Sequence, residues 1–92
     1  MKYRIQNGVV RETICGESLL ISTKEARERC PYLTQLDESS AFIWSMIEEG
    51  MDSQDMINRI IQKYDVDEKE AEEGLMSFLN AMEERHYIIR EA

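Results

Sequence analysis

Hydrophobic and polar residues alternate over the first 22 positions. After residue 37, hydrophobic residues recur every three or four positions, which is helical spacing. Alternation indicates strands, and the longer repeat indicates helices. Asn7-Gly8 and Gly16-Glu17 are two-residue turn signals, so this stretch predicts a three-stranded antiparallel meander. One face of the meander then carries a hydrophobic set made of Ile5, Val10, Ile14, Leu19 and Ile21. We expect helices to cover that face.

The first predicted helix lies between Leu36 and Gly50 and is hydrophobic nearly all the way round. Asp37 is a suitable N-cap, and Gly50 can adopt the left-handed conformation that ends a helix. Such a helix needs cover on two sides. The strands before it and the helices after it are therefore expected to pack on opposite sides of it, with Trp44 in the core.

Two further helices follow, and both have capping signals. Asp52 or Ser53 begins one, and Asp67 with Glu70 forms the capping box of the other. Their buried stripes are predicted to be Met56, Ile57, Ile60, Ile61 and Tyr64 in the second helix, and Ala71, Leu75, Phe78, Leu79 and Met82 in the third. The chain is thus predicted to be one α+β domain over residues 1–92, a three-stranded meander followed by three helices with winged helix-turn-helix-like architecture.

The third strand of this meander, SLLIS, carries no charge, whereas the first strand, KYRIQ, does. Charge on an edge strand discourages further pairing, so the third edge is predicted to be open. Residues 23–35 could instead cover it, because they contain one helical turn stopped by Pro31 and then a short extended piece, Tyr32 to Leu36. A free edge of this kind also receives added peptide strands.

The net charge of −8 is unevenly distributed, at +2 over residues 1–36 and −10 over residues 37–92. A winged helix could bind nucleic acid, but the third helix begins with five acidic residues against the single Lys69. Phosphates would be repelled there, so nucleic-acid binding is the weakest of the three functions considered.

No catalytic constellation is present, and we expect no enzyme activity, cofactor or metal site. His86 is the single histidine, and the two cysteines lack metal-ligand spacing. Without a signal peptide or a membrane span, a cytoplasmic location is expected, with Cys15 and Cys30 reduced. No membrane association is expected.

The chain resembles the PqqD-like family, the precursor-peptide recognition proteins of ribosomally made, modified peptide pathways, also called RiPP recognition elements. The resemblance rests on residues 18–21, 36–44, Gly50, the Ile57/Ile60/Ile61/Tyr64 helix, Phe78-Leu79-Met82 and Tyr87-Ile88. The chain departs from the family in its longer charged stretch from Lys24 to Cys30 and in having Asp37 where quinone-cofactor members commonly have Asn.

The resemblance implies a small winged-helix-like protein that holds the leader of a precursor peptide. It would present that leader to a modifying enzyme, such as a radical S-adenosylmethionine enzyme or a leader protease. The leader would add as a strand to the third strand and lie against the third helix. The implied peptide-binding residues are Leu19, Leu20, Ile21, Ser22, Leu75, Met76 and Leu79.

The basic residues Lys24, Arg27 and Arg29 follow the third strand and could attract an acidic leader, with Arg27 the main candidate. An alternative function remains open. A small acidic adaptor or regulator could use the same surface to dock a folded protein partner.

Overall fold

The computed structural model describes residues 1–91, apart from the side chains of residues 24 and 25. Its strands are β1 (Lys2–Ile5), β2 (Val9–Ile14), β3 (Glu17–Ser22), β4 (Leu33–Leu36) and β5 (Ile88–Glu91). Its helices are α1 (Glu38–Glu48), α2 (Ser53–Tyr64) and α3 (Glu68–Glu84), and a 3₁₀ turn spans Lys24–Glu28. The predicted α+β class, a three-stranded antiparallel sheet followed by three helices, is confirmed.

The strands that make up the three-stranded sheet differ from the prediction. The sheet has the order β2-β3-β4, and β1 instead pairs with the C-terminal strand β5 in a separate antiparallel ribbon. In that ribbon Lys2 lies opposite Glu91, and Ile5 lies opposite Ile88. The predicted β1–β2 hairpin is therefore wrong, because β4 completes the sheet in place of β1.

The turn at Asn7-Gly8 explains why β1 and β2 separate. Val9 N donates to Gln6 O at 3.1 Å, so a tight turn does form. Gly8 has a φ of +91°, but Asn7 is not among the residues with positive φ. This is the pattern of a type II turn, which splays its flanking strands, and not of the type I′ turn that a hairpin requires.

The β2–β3 hairpin turns at Cys15-Gly16, one residue earlier than predicted. Both residues have positive φ, 52° for Cys15 and 79° for Gly16, as a type I′ turn demands. Ile14 consequently lies opposite Glu17, and the predicted partner of Ile14, Leu19, lies opposite Glu12. The register thus moves by two residues.

The predicted buried face of the sheet is also wrong. Val10 is 41% exposed and Ile14 is 52% exposed, whereas Val9 and Leu20 on the opposite face are buried. Val9-Val10 and Leu19-Leu20-Ile21 each place hydrophobic residues on both faces of the sheet. Alternation alone therefore could not show which face is buried. The outward face of β2-β3-β4 consequently keeps a hydrophobic set consisting of Val10, Ile14, Leu19, Ile21 and Leu33.

The helices follow the sequence closely. Asp37, Asp52 and Asp67 are the N-caps, and each carboxylate accepts a backbone N–H of the first turn. Trp44 is fully buried, and the predicted stripes of α2 and α3 face the same core, although Ile61 and Phe78 are only half-buried and Tyr64 is exposed. α1 is therefore the central helix that the sequence predicts.

Candidate functional site

β3 has a hydrogen-bonded neighbour on each side, β2 on one and β4 on the other. Ser22 N donates to Tyr32 O at 3.0 Å, and Leu20 lies opposite Thr34. Because backbone groups alternate in direction along a strand, Ser18, Leu20 and Ser22 bond toward β4, and the residues between them bond toward β2. The predicted open edge at Leu19–Ser22 is thus wrong, because residues 33–36 cover it.

The open edge on this side of the sheet belongs to β4 instead. Tyr32 bonds to Ser22, so the same alternation directs the backbone groups of Thr34 and Leu36 toward β3. The N–H and C=O groups of Leu33 and Gln35 then point away from the sheet. This strand carries no charged residue and can receive one more strand.

A cavity of about 370 Å³ lies among the three helices. It is bounded by the first turn of α1, the end of α2 and the first half of α3. Its walls are hydrophobic, with polar groups at Ser39, Ser40 and Glu70. The hydrophobic wall consists of Ile43, Ile60, Tyr64, Val66, Ala71, Leu75 and Phe78. We call it the α-pocket.

Acidic groups stand close to the mouth of the α-pocket. The Ser40 N–H donates to the Asp37 carboxylate at 2.8 Å, and this hydrogen bond lowers the pKa of Asp37. Burial, and then the charges of Glu38 and Asp37, raise the pKa of Tyr64. Lys63 lies on the same side, with its Nζ 5.7 Å from the centre of the Tyr64 ring. The α-pocket therefore combines a hydrophobic interior with charged neighbours of both signs.

Gly74 lies in the middle of α3 and lines the α-pocket. Its φ is not in the positive range, so the helix does not require glycine there. A Cβ added at this position would meet no atom within 4 Å. Glycine inside a helix costs about 1 kcal/mol relative to alanine. Packing within the chain gives no reason for that cost, whereas an open pocket wall does.

The predicted site residues lie in three different environments. Leu20, Ser22, Leu75 and Leu79 are fully buried in the core, and Leu75 also lines the α-pocket. Leu19 and Ile21 are half-buried on the outward face of the sheet, and Met76 is half-buried on α3. The structure therefore does not place Leu19, Leu20, Ile21 and Ser22 at an available strand edge.

Arg27 is exposed and contacts the start of β4. Its Nε donates to Ser22 O at 3.2 Å, and its guanidinium lies 5.1 Å from the centre of the Tyr32 ring. The neighbouring Arg29 is exposed as well, whereas the side chain of Lys24 lies outside the described residues. The Arg27 guanidinium therefore lies near the start of β4.

Sequence reasoning missed Leu33, Gln35 and Gly74. Local signals for all three were present. LTQL, which contains Leu33 and Gln35, is an uncharged stretch between Pro31 and the Asp37 cap, and Gly74 interrupts an otherwise good helical sequence. The pairing of β4 with β3 is non-local, however, and no local signal specifies it.

Over residues 1–91, no group of three or more histidine, cysteine, aspartate or glutamate residues could hold a metal ion. Within the same residues, no helix combines the length and the hydrophobicity that crossing a membrane requires.

Comparison with known proteins gives a family and two similar structures. The family model of coenzyme PQQ synthesis protein D (PqqD) matches residues 31–88. A solved structure of TbiB1 in complex with the TbiA(beta) leader peptide is similar with a TM-score of 0.82 at 27% identity, covering 97% of this chain and 98% of that chain. No curated protein matches the sequence.

A second solved structure, lasso peptide synthetase B1 complexed with the leader peptide, is similar with a TM-score of 0.83. It covers 98% of this chain and 100% of that chain. Its identity is 14%, so this likeness concerns the fold alone.

Proposed function

Since the chain belongs to the PqqD family, we propose that it binds the leader segment of a ribosomally made precursor peptide and presents it to a modifying enzyme. The leader adds as a strand to the open edge of β4. The observation that carries this proposal is the outward direction of the Leu33 and Gln35 backbone groups on an uncharged strand. The leader bound in the TbiB1 complex supports a peptide ligand.

The added strand runs antiparallel to β4, as all the paired strands of this chain do. The N-terminal part of such a strand lies opposite Leu36, and the peptide before it continues past Asp37 toward Ser39 and Ser40. The α-pocket then receives a leader side chain that precedes the paired segment. Backbone bonds then supply affinity, and the α-pocket supplies specificity.

The chemistry of the α-pocket defines the preferred residue. Leu75, Phe78 and Ile43 favour a hydrophobic or aromatic side chain. Three acidic groups, Asp37, Glu38 and Glu70, lie near the α-pocket against the single Lys63, and this excess favours basic residues next to the hydrophobic one in the leader. At the other end of β4, Arg27 favours an acidic residue, so we propose a leader that is basic on its N-terminal side and acidic on its C-terminal side.

The decisive experiment uses a proline on each outer strand of the sheet. Gln35→Pro removes an outward N–H of β4 and leaves the backbone bonds to β3 in place, and prolines are tolerated on strand edges. It also removes the exposed side-chain hydrogen bond that Gln35 donates to the Glu17 carboxylate of β3, a bond that Gln35→Ala removes by itself and so controls for. The matched control is Thr13→Pro on β2. Thr23 N donates to Gly8 O, so Gly8 bonds toward β3, and by alternation the backbone N–H and C=O groups of Val9, Arg11 and Thr13 point away from the sheet.

The genes next to this chain's gene are searched for a short precursor peptide, and the synthetic leader of that precursor is the probe. In calorimetric titrations, Gln35→Pro should weaken its binding about tenfold or more, since a backbone donor is lost and the ring obstructs the strand. Thr13→Pro should bind as the unmodified chain does, and circular dichroism should show both variants folded. Equal affinity of all three chains would refute addition at β4.

A second function, docking of a folded partner, is favoured by the hydrophobic outward face of β2-β3-β4. Val10 and Leu33 are 41% and 50% exposed there. Leu33 belongs to both this face and the open edge, so a peptide strand on β4 would extend the same face. Ile14→Ser distinguishes the two functions, because it should leave leader affinity unchanged and weaken binding only of a folded modifying enzyme.

The class of the modifying enzyme and the cytoplasmic location remain predictions.

A further inference from the structure

A chain of buried hydroxyl groups lies under the start of β4. The Tyr87 hydroxyl is 3.0 Å from Pro31 O and 2.6 Å from Thr34 Oγ1, and Ser22 Oγ donates to Pro31 O at 2.6 Å. If Thr34 donates to Tyr87 and Tyr87 donates to Pro31, every hydroxyl hydrogen has an acceptor. Tyr87 and Ser22 are fully buried, so no water is needed to complete these bonds.

This arrangement connects two parts of the chain that are far apart in sequence. Tyr87 follows α3 directly, and both of its partners lie in residues 31–34. A second bond has the same effect, since Cys30 Sγ donates to His86 O at 3.1 Å. A phenylalanine would fill the same core volume, so filling space does not explain the hydroxyl. Its bonds hold the start of β4 against the end of α3.

We propose that the Tyr87 hydroxyl is a positioning group for peptide binding, which keeps β4 at the separation from α3 that an added strand requires. This inference rests on the proposed function. β4 has only four residues and a partner strand on one side, and of its residues only Leu36 is buried. Such a strand has low local stability, so its position depends on the bonds at its start.

The position of Tyr87 predicts a specific kinetic effect. The peptide binds the outward groups of Leu33 and Gln35, whereas the hydroxyl lies on the buried side of β4. Loss of the hydroxyl therefore lowers the fraction of chains in which β4 is correctly placed and removes no contact with the peptide. The association rate should fall by that fraction, and the dissociation rate should stay the same.

The experiment measures leader association and dissociation by stopped-flow fluorescence for Tyr87→Phe and Thr34→Val. The matched control is Tyr3→Phe, which removes a buried tyrosine's hydroxyl from the β1–β5 ribbon. We expect the association rate constant of both test variants to fall measurably, by at most about fivefold, the limit set by the loss of one buried hydrogen bond. Tyr3→Phe should associate normally.

Hydrogen exchange supplies a readout that does not involve the peptide. The amides of Thr34 and Leu36, which bond to β3, should exchange faster in Tyr87→Phe, whereas those of Val10 and Glu12 should not change. A general loss of protection in both strands would show a purely structural role and overturn the proposal. An unchanged association rate with a faster dissociation rate would overturn it as well.

The unmodified chain separates this inference from the function on which it rests. If it does not bind the leader, the proposed function is refuted. If it binds the leader, and Tyr87→Phe shows the same rates and the same exchange at β4, only the positioning role of the hydroxyl is refuted.

Discussion

The two outer strands of the three-stranded sheet, β2 and β4, differ in length, charge and surroundings. β2 has six residues including Arg11 and Glu12, whereas β4 has four and no charge. The Arg11 guanidinium is 2.9 Å from the Glu48 carboxylate at the end of α1, which places a charged pair beside β2. β4 instead leads to the α-pocket through the Asp37 cap.

This difference shows how one sheet can be protected at one edge and receptive at the other. Charged side chains and long, flexible ion pairs discourage strand addition at β2. β4 itself carries no charged residue, Arg27 stands only at its start, and its short length limits the risk of uncontrolled association. The receptive edge is thus defined as much by what protects its counterpart as by its own residues.

The largest expected effect tests whether both edges depend on the same core. Trp44 is fully buried in α1, and Trp44→Ala should lower the free energy of unfolding by about 3–5 kcal/mol. Trp44→Phe should lower the free energy of unfolding by less. Trp44 Nε1 makes no hydrogen bond within the described residues, so removing this N–H breaks none. Chemical denaturation measures both. An unchanged midpoint for Trp44→Ala would contradict the central position of this helix.

The next effect concerns the α-pocket, which adjoins β4 and not β2. Gly74→Leu should weaken leader binding about tenfold or more, because its side chain occupies space that a leader side chain would otherwise bury. The control, Gly74→Ala, should raise the unfolding free energy by about 0.5–1 kcal/mol. A leucine variant that is stable and binds normally would show that the peptide does not enter the α-pocket.

A smaller effect comes from the Asp37 cap between β4 and α1. Asp37→Ala should cost about 1 kcal/mol at neutral pH. Hydrogen bonding from Ser40 lowers the pKa of Asp37 below its ordinary 3.8. The charged carboxylate therefore stabilises the fold above that pH, and the contribution is lost as the pH falls through the lower, folded-state pKa.

Acid titration of stability tests the cap prediction. Asp37→Asn keeps a capping side chain but cannot titrate, so its unfolding free energy should decline less than that of the unmodified chain below pH 4. The same acid dependence in both chains would exclude Asp37 as the source.

The smallest effect belongs to the charged pair beside β2. Both side chains are about one-third exposed, so Arg11→Ala should cost roughly 0.2–1 kcal/mol, and less at high salt. Leader affinity at β4 should not change. A clear loss of affinity in Arg11→Ala, measured by calorimetry with Glu48→Ala as the matched variant, would show that the leader also contacts β2.

Local signals specified the helices well, and non-local pairing was the part that they could not specify. Asp37, Asp52 and Asp67 bond to backbone within their own first turns, so their sequence neighbourhood is sufficient. The choice between β1 and β4 as third strand depends on the conformation of Asn7-Gly8 and on a partner about 85 residues away in β5.

The position of the free strand edge is the part of the site prediction that the structure contradicts. An uncharged free edge beside the third helix was expected, but β4 replaced β3 because Tyr32 to Leu36 pairs with residues 18–22. The sequence indicates that residues 23–35 can cover the third strand, but it does not indicate that the outer edge of the covering strand stays open. The α-pocket depends on three helices meeting, which the helical repeat of each helix alone does not reveal.

The β1–β5 ribbon has a practical consequence for protein engineering. Because Lys2 lies opposite Glu91, the two ends of the described chain stand side by side. A short linker could join them, with new ends opened at the exposed Cys15-Gly16 turn. Such a circular permutant would keep β4 and the α-pocket intact. For the same reason, reporters attached at Lys2 and at Glu91 would start close to each other.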